Sequence, residues 1–258
     1  DGNAQDWRLM HLGQFATGGF GLVIAEAAAV EPRGRISPQD LGLWCDENEE
    51  SLGRVMRFCK EFGQAKMGIQ LAHAGRKASC NRPWEGRHVL QADQNPWQTI
   101  SSAANPHDVG WHTPKMMDRG DMDAVKAAFV AATERSDRLG FDMIEVHSAH
   151  GYLFHEFLSP IANTRNDEYS GPINNRMRFP LEVFAAMREV WPESKPMGLR
   201  LSTTDWVDNG WTPEESVIYA EKLKALGCDY ICASSGGVSE QQRIELGEGY
   251  QVKFAEKI

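Results

Sequence analysis

Five short apolar runs, each closing on polar or glycine-rich residues, constrain the fold of this chain more than any other feature. They are GLVIAEAAAV (21–30), KMGIQLAHAG (66–75), FDMIEVH (141–147), PMGLRLS (196–202) and YICASSGG (230–237). Their lengths suit strands, and the first, continuous after glycines, suits a strand buried on both faces. Helical patterns lie around and between them. Residues 3–19 space Trp7, Met10, His11 and Gln14 along one face, and 46–63 carries Leu52, Val55, Met56, Cys59 and Phe62 at helical spacing. Asp121 can cap a helix through about Leu139, and another runs from Met177 to Trp191. Thr212–Pro213–Glu214–Glu215 is a capping box with proline at the first helical position. Residues 250–258 read as the beginning of one more helix.

Repeated strand–helix units imply a parallel sheet covered by helices. A doubly wound sheet would gather its ligand at one switch point, normally with a glycine-rich phosphate turn. Neither GxGxxG nor GxxxxGK[ST] occurs. Instead the polar clusters fall at the C-terminal ends of successive strands: Glu26–Ala27, Gln70–His73, His147–His150, Arg200 and Ser234–Gly237. That distribution belongs to the active face of a (β/α)8 TIM barrel, so the α/β class with that architecture is expected. Five strands fall short of eight. The expectation is a single, incomplete barrel over 1–258, about strands 2 to 6, lacking the first strand and the last two βα units. Residues 77–118 are too many for an ordinary connection of about 2–6 residues. They form either a capping, lid-like excursion after the barrel's third strand or a surface decoration.

Composition narrows the classes. With 41% hydrophobic and 24% charged residues the chain is ordinary for a globular protein. A net charge of −9 with dispersed Lys and Arg argues against a nucleic-acid partner. No run of about 18 apolar residues suggests a membrane span, and no leader pattern suggests secretion. Cys45, Cys59, Cys80, Cys228 and Cys232 have no framework or zinc-like spacing, which reads as reduced cytosolic thiols.

The stretch EVHSAHGYLFHEFLSP (145–160) concentrates the chemistry. His155–Glu156 lacks the second histidine of a HExxH metal site, so no metal is expected. His147 ends a strand and Gly151 breaks the chain just after His150. The pair reads either as structural histidines or as neutral donors aimed at an oxygen that gains negative charge. Tyr152 is a poor base but a serviceable proton donor to a carbanion; alternatively it packs as an aromatic. Gln70 can donate and accept at once, while His73, Arg76 and Lys77 suit anion recognition or solvation. Arg200 lies on a strand facing the barrel interior, so it needs an acid, Asp205 or Glu145, or an anionic cofactor. Ser234–Gly237 offers backbone N–H groups to an anion or is a plain turn. The charges in NTRNDEYSGPINNRMRF (163–179) read as a salt-bridged structural loop.

Together these segments resemble the Old Yellow Enzyme family of flavin-dependent ene-reductases, closest to its thermophilic-like and xenobiotic-reductase class. The resemblance spans the chain through residues 6–44, IQLAHAGRKA (69–78), HSAHGYLFHEFLSPIANTRNDEYSG (147–171), NNRMRF (174–179), LRLSTTDWVDNGW (199–211) and GYQVKFAEKI (249–258). It implies FMN as cofactor and NADPH or NADH as reductant, with hydride delivered to the β-carbon of a small activated alkene. Ala27, Gln70 and Arg200 would bind the flavin. His147 and His150 would hold the substrate oxygen, Tyr152 would protonate the α-carbon, and Lys77 would sit beside flavin or substrate. It further implies a cytoplasmic homo-oligomer, dimer or tetramer. Related alternatives are a 2,4-dienoyl-CoA reductase or amine dehydrogenase type, or a non-catalytic barrel fragment. Tyr169–Ser170–Gly171 departs from the family's Tyr-Gly-Gly, and the family's first-strand and phosphate-binding segments lie outside this sequence, which implies weak FMN binding by these 258 residues alone.

Overall fold

The apolar runs form one parallel sheet in a computed structural model that describes residues 1–86 and 88–258. Helix α1 (Asp6–Thr17) leads into β1 (Leu22–Ala29), and α2 (Asp46–Phe62) into β2 (Lys66–Ala72). After the excursion, which holds a two-residue parallel pair β3 (Ile100–Ser101) and β4 (Lys115–Met116), comes α3 (Arg119–Arg138) and then β5 (Met143–Ser148). The short α4 (Leu153–Leu158) and α5 (Ile173–Arg176) precede α6 (Arg178–Val190) and β6 (Met197–Ser202). Helix α7 (Pro213–Ala225), β7 (Ile231–Ser234) and α8 (Val252–Lys257) finish the chain. The sheet order is β1-β2-β5-β6-β7, every pair parallel, and its two edges do not meet.

Strand alternation divides the sheet into two faces. Ile69, Leu71, Ile144, Val146, Leu199 and Leu201 point to one of them and are buried in a core shared with Phe129, Val183, Phe184 and Leu223 of the helices. Each such side chain contributes roughly 1.5–3 kcal/mol of burial. The opposite face carries Gln70, Glu145, His147 and Arg200, in register across β2, β5 and β6.

Two expectations need correction. Strand β1 is not buried on both faces, because Leu22 and Ile24 are exposed while Val23 and Ala25 are buried. As an edge strand of an open sheet, β1 has helices against one side only. Asp121 is not the cap of α3: Asp118 is, accepting the Asp121 N–H at 2.9 Å, while the Asp121 side chain accepts the Asp118 N–H. The capping box at Thr212 and Glu215 forms as the sequence indicates.

One irregularity positions the site. Between Ala25 and Ala28 the β1 register gains a residue against β2, so a bulge sits at Glu26–Ala27. Bulges re-aim side chains. Here Ala27 lies at the wall of a pocket that Tyr152 also lines.

Candidate active site

The chain reverses sharply after β5. His150 and Gly151 have φ of 60° and 74°, and the Tyr152 N–H returns to the Ala149 carbonyl at 3.1 Å. Two successive positive φ angles are the sign pattern of a type I′ turn. Glycine is required at 151 twice over, since a Cβ there would also lie 2.2 Å from the Gly237 carbonyl oxygen. The turn gathers three side chains: the His147 ring centroid is 5.1 Å from that of His150 and 4.9 Å from that of Tyr152.

Hydrogen bonds fix the tautomers of the two histidines. His147 Nδ1 accepts the Ala149 N–H at 3.2 Å, so its proton is on Nε2, which faces His150 Nδ1 at 3.3 Å. His150 therefore carries its proton on Nε2, 2.7 Å from Ser234 Oγ. Burial, followed by the nearby His150 and Arg200, pushes His147 well below the usual imidazole range. Burial and Arg200 push His150 down to about 3. Both rings are neutral donors at neutral pH, and each N–H is engaged by a neighbour that a ligand oxygen could displace.

Arg200 faces the same space without a carboxylate. Its Nε is buried with no hydrogen-bond partner, and among the described residues it forms no ion pair. The two acids expected from the sequence are occupied elsewhere. Glu145 accepts from Gln70 Nε2 at 2.6 Å and Tyr230 Oη at 3.5 Å. Asp205 is bonded to His155, Ser159 and the Trp211 N–H. The Glu145 contact also orients the Gln70 amide, leaving its oxygen as the acceptor toward a ligand.

Lys77 Nζ donates to the His150 and Gly237 carbonyls at 3.0 and 2.8 Å and lies 5.4 Å from the centre of the Tyr152 ring. Tyr152 lines two adjoining pockets. One, about 240 Å³ counting space open to solvent, lies beside Ala27, Ala72 and Ala74. The other holds about 550 Å³, open to solvent, beside Ile36, Lys77, Cys80, Asn81 and Trp111. Trp111 comes from the excursion and stacks edge-on with His107.

Other residues singled out in the sequence have structural partners. His73 is buried and its Nε2 meets Glu31 at 2.8 Å, so it is neither solvated nor directed at a ligand. Arg76 is buried and donates to the Val238 carbonyl at 2.8 Å, with Pro106 also in reach. The N–H groups of Gly236 and Gly237 are taken by the Thr204 carbonyl and Gln242 Oε1, so neither is turned to an anion. In the charged loop Arg165 binds Asp167 and reaches out to the Ser102 and Met117 carbonyls of the excursion, while Ser170 keeps an ordinary negative φ and donates to the Arg165 carbonyl at 2.6 Å. Ser202 was not legible as a site residue. It accepts the His150 N–H at 2.9 Å and donates to Gly236 at 2.8 Å, and its position at a strand end was the only signal. Among the described residues, no group of three or more His, Cys, Asp or Glu is placed to hold a metal, and no helix is long and apolar enough to cross a membrane.

Comparison with known proteins shows the family and the fold of the chain. The family model described as NADH:flavin oxidoreductase / NADH oxidase matches residues 1–249. An NADH:flavin oxidoreductase of Gibberella zeae is 41% identical across the whole chain, which spans 66% of that relative. The NADPH dehydrogenases of Geobacillus sp. (strain WCH70) and Bacillus subtilis (strain 168) are 42% and 40% identical, again across the whole chain and over 70% and 71% of their lengths. The fold superposes on morphinone reductase with a TM-score of 0.79 at 25% identity, covering 100% of this chain and 70% of that one. The open five-stranded sheet is thus an incomplete TIM barrel.

Proposed function

This chain belongs to the NADH:flavin oxidoreductase / NADH oxidase family, and on that premise we propose that it reduces activated alkenes, enones above all, at the face built by β2, β5, β6 and β7. The family is one of FMN-dependent oxidoreductases with nicotinamide reductants. The observation that carries the reading is the convergence of two neutral imidazole donors and a tyrosine beside a cation with a buried, unpartnered Nε.

The residues present fit an isoalloxazine. Arg200 Nε needs an acceptor, and a flavin's pyrimidine carbonyl edge, which gains negative charge on reduction, is one. Gln70, its amide turned by Glu145, offers an oxygen to the flavin N–H. Ala27, aimed by the β1 bulge, offers only a methyl group at the wall. When bound, FMN supplies the hydride chemistry, taking two electrons from NADPH or NADH and passing them to the alkene β-carbon.

The chain's own side chains do the rest. His147 and His150 turn their Nε2–H groups from His150 Nδ1 and Ser234 to the substrate oxygen, where negative charge develops. Because their conjugate acids are too strong to persist at neutral pH, these rings donate hydrogen bonds as neutral groups. Each preorganised donor of this kind contributes about 3–4 kcal/mol to the transition state. Tyr152 delivers its phenolic proton to the α-carbon and is reprotonated from the solvent-open pocket. Lys77, held to two carbonyls beside the Tyr152 ring, keeps a positive charge near the phenol as the proton leaves. Residues 77–118 act as a lid, with Trp111 covering the substrate pocket.

The test uses the full-length protein: it should bind FMN, turn yellow and oxidise NADPH faster when cyclohexenone is added. A colourless protein, or a yellow one indifferent to the enone, would refute the reading.

A further inference from the structure

His155 and Asp205 are fully buried behind the turn that carries His150 and Tyr152, and they line neither of the Tyr152 pockets. His155 Nε2 lies 2.7 Å from Asp205 Oδ1. The other carboxylate oxygen accepts from Ser159 Oγ at 2.6 Å and from the Trp211 N–H at 2.7 Å. Across the imidazole, Nδ1 accepts the buried Gly151 N–H at 2.9 Å. A nitrogen that accepts a backbone proton carries none itself, so His155 is neutral with its one proton on Nε2, facing the carboxylate.

The turn needs that acceptor. His150 is not glycine yet sits at φ 60°, a conformation that only surrounding contacts can maintain. Each N–H of the turn is held: His150 by Ser202 Oγ, Gly151 by His155 Nδ1 and Tyr152 by the Ala149 carbonyl. Gly151 is the residue between the two side chains assigned to substrate. We propose that His155 is a positioning residue whose tautomer, set by Asp205, anchors the Gly151 N–H and so fixes where His150 and Tyr152 point. This rests on the roles proposed for those two residues.

Substitutions separate the two nitrogens. In His155→Asn the amide oxygen takes the place of Nδ1 and can still accept from Gly151. In His155→Gln the amide reaches Asp205 in place of Nε2 and leaves Gly151 without an acceptor. Asp205→Asn inverts the hydrogen bonding: its oxygen must serve Ser159 and Trp211, so its NH2 faces Nε2. The imidazole proton is then forced onto Nδ1, against the Gly151 N–H.

The experiment uses the full-length protein, flavin-free for spectroscopy and flavin-loaded for kinetics. Nitrogen-15 spectra should show the wild-type His155 ring neutral and protonated at Nε2. Gly151 amide exchange should be slow in wild type and His155→Asn but about tenfold faster in His155→Gln and Asp205→Asn, as expected when one buried hydrogen bond is lost. With an enone, kcat should fall about tenfold in the latter two and recover in His155→Asn, while the rate of flavin reduction by NADPH holds. A wild-type ring protonated at Nδ1, or equal losses in Asn and Gln variants, would overturn the proposal. Should the variants not fold, the wild-type tautomer decides alone. An enzyme inactive toward enones would overturn the function above, yet the exchange and tautomer results would still judge the positioning.

Discussion

Replacing Arg200 with methionine is expected to strengthen the flavin-free protein while loosening its hold on FMN. The guanidinium Nε is buried with no acceptor, and among the described residues no carboxylate pairs with the side chain. A buried donor left unmade costs about 1–3 kcal/mol, and methionine of similar length removes it while keeping the packing. The flavin-free variant should therefore unfold at higher urea, by about that free energy. In the loaded protein the same change deletes a charge-assisted hydrogen bond worth about 1.5–3 kcal/mol, which raises the FMN dissociation constant about 10- to 150-fold. Arg200 also helps hold His147 and His150 neutral, so both should titrate at higher pH in the variant. Urea denaturation of the flavin-free protein and fluorescence titration with FMN measure the two effects. A destabilised variant with unchanged FMN affinity would show that Arg200 is a structural cation and refute the reasoning.

Two further predictions address the proton donor and a buried acid. Tyr152→Phe should slow enone turnover by about 10²–10⁴-fold, the range for a lost general acid, with substrate affinity within a few-fold of wild type; collapse of binding would mark the tyrosine as packing only. Burial pushes Glu156 up to about 7, so its folded value lies above the ordinary 4.5. The folded state then binds the proton more tightly, and this stability is present below about pH 4.5 and lost as pH rises through about 7. The lowered His150 acts oppositely, losing stability as pH falls below its ordinary value, so the Glu156 contribution must be read by difference. Relative to wild type, Glu156→Gln should gain about 3 kcal/mol between pH 4 and pH 8 in urea denaturation. A difference that stays flat with pH would show the carboxyl to titrate normally.

The strands were legible because each apolar run ends in glycine or polar residues, and the strand-end rule located Gln70, His147 and Arg200 on one face with His150 in the turn that follows β5. What lay outside the sequence was pairing across distance. Asp205 looked like a partner for Arg200, yet it is occupied by His155 from another element, and Glu145 is held by Gln70. The bulge at Glu26–Ala27 adds one residue to β1 and leaves no mark in an alanine-rich run. Asp118 and Asp121 stand three apart and each caps the other's N–H, so composition could not say which came first. The exposure of Ile24 on β1 depends on what covers a sheet edge, which no local pattern encodes.

The central claim, that His147 and His150 act on the substrate oxygen and leave flavin reduction alone, is tested most directly by rapid-mixing kinetics of His147→Ala in the FMN-loaded protein. Bleaching of the flavin by NADPH should proceed within a few-fold of the wild-type rate, while its reoxidation by an enone should slow about 10²–10³-fold, the cost of one lost oxyanion donor. Equal slowing of both half-reactions would contradict the account.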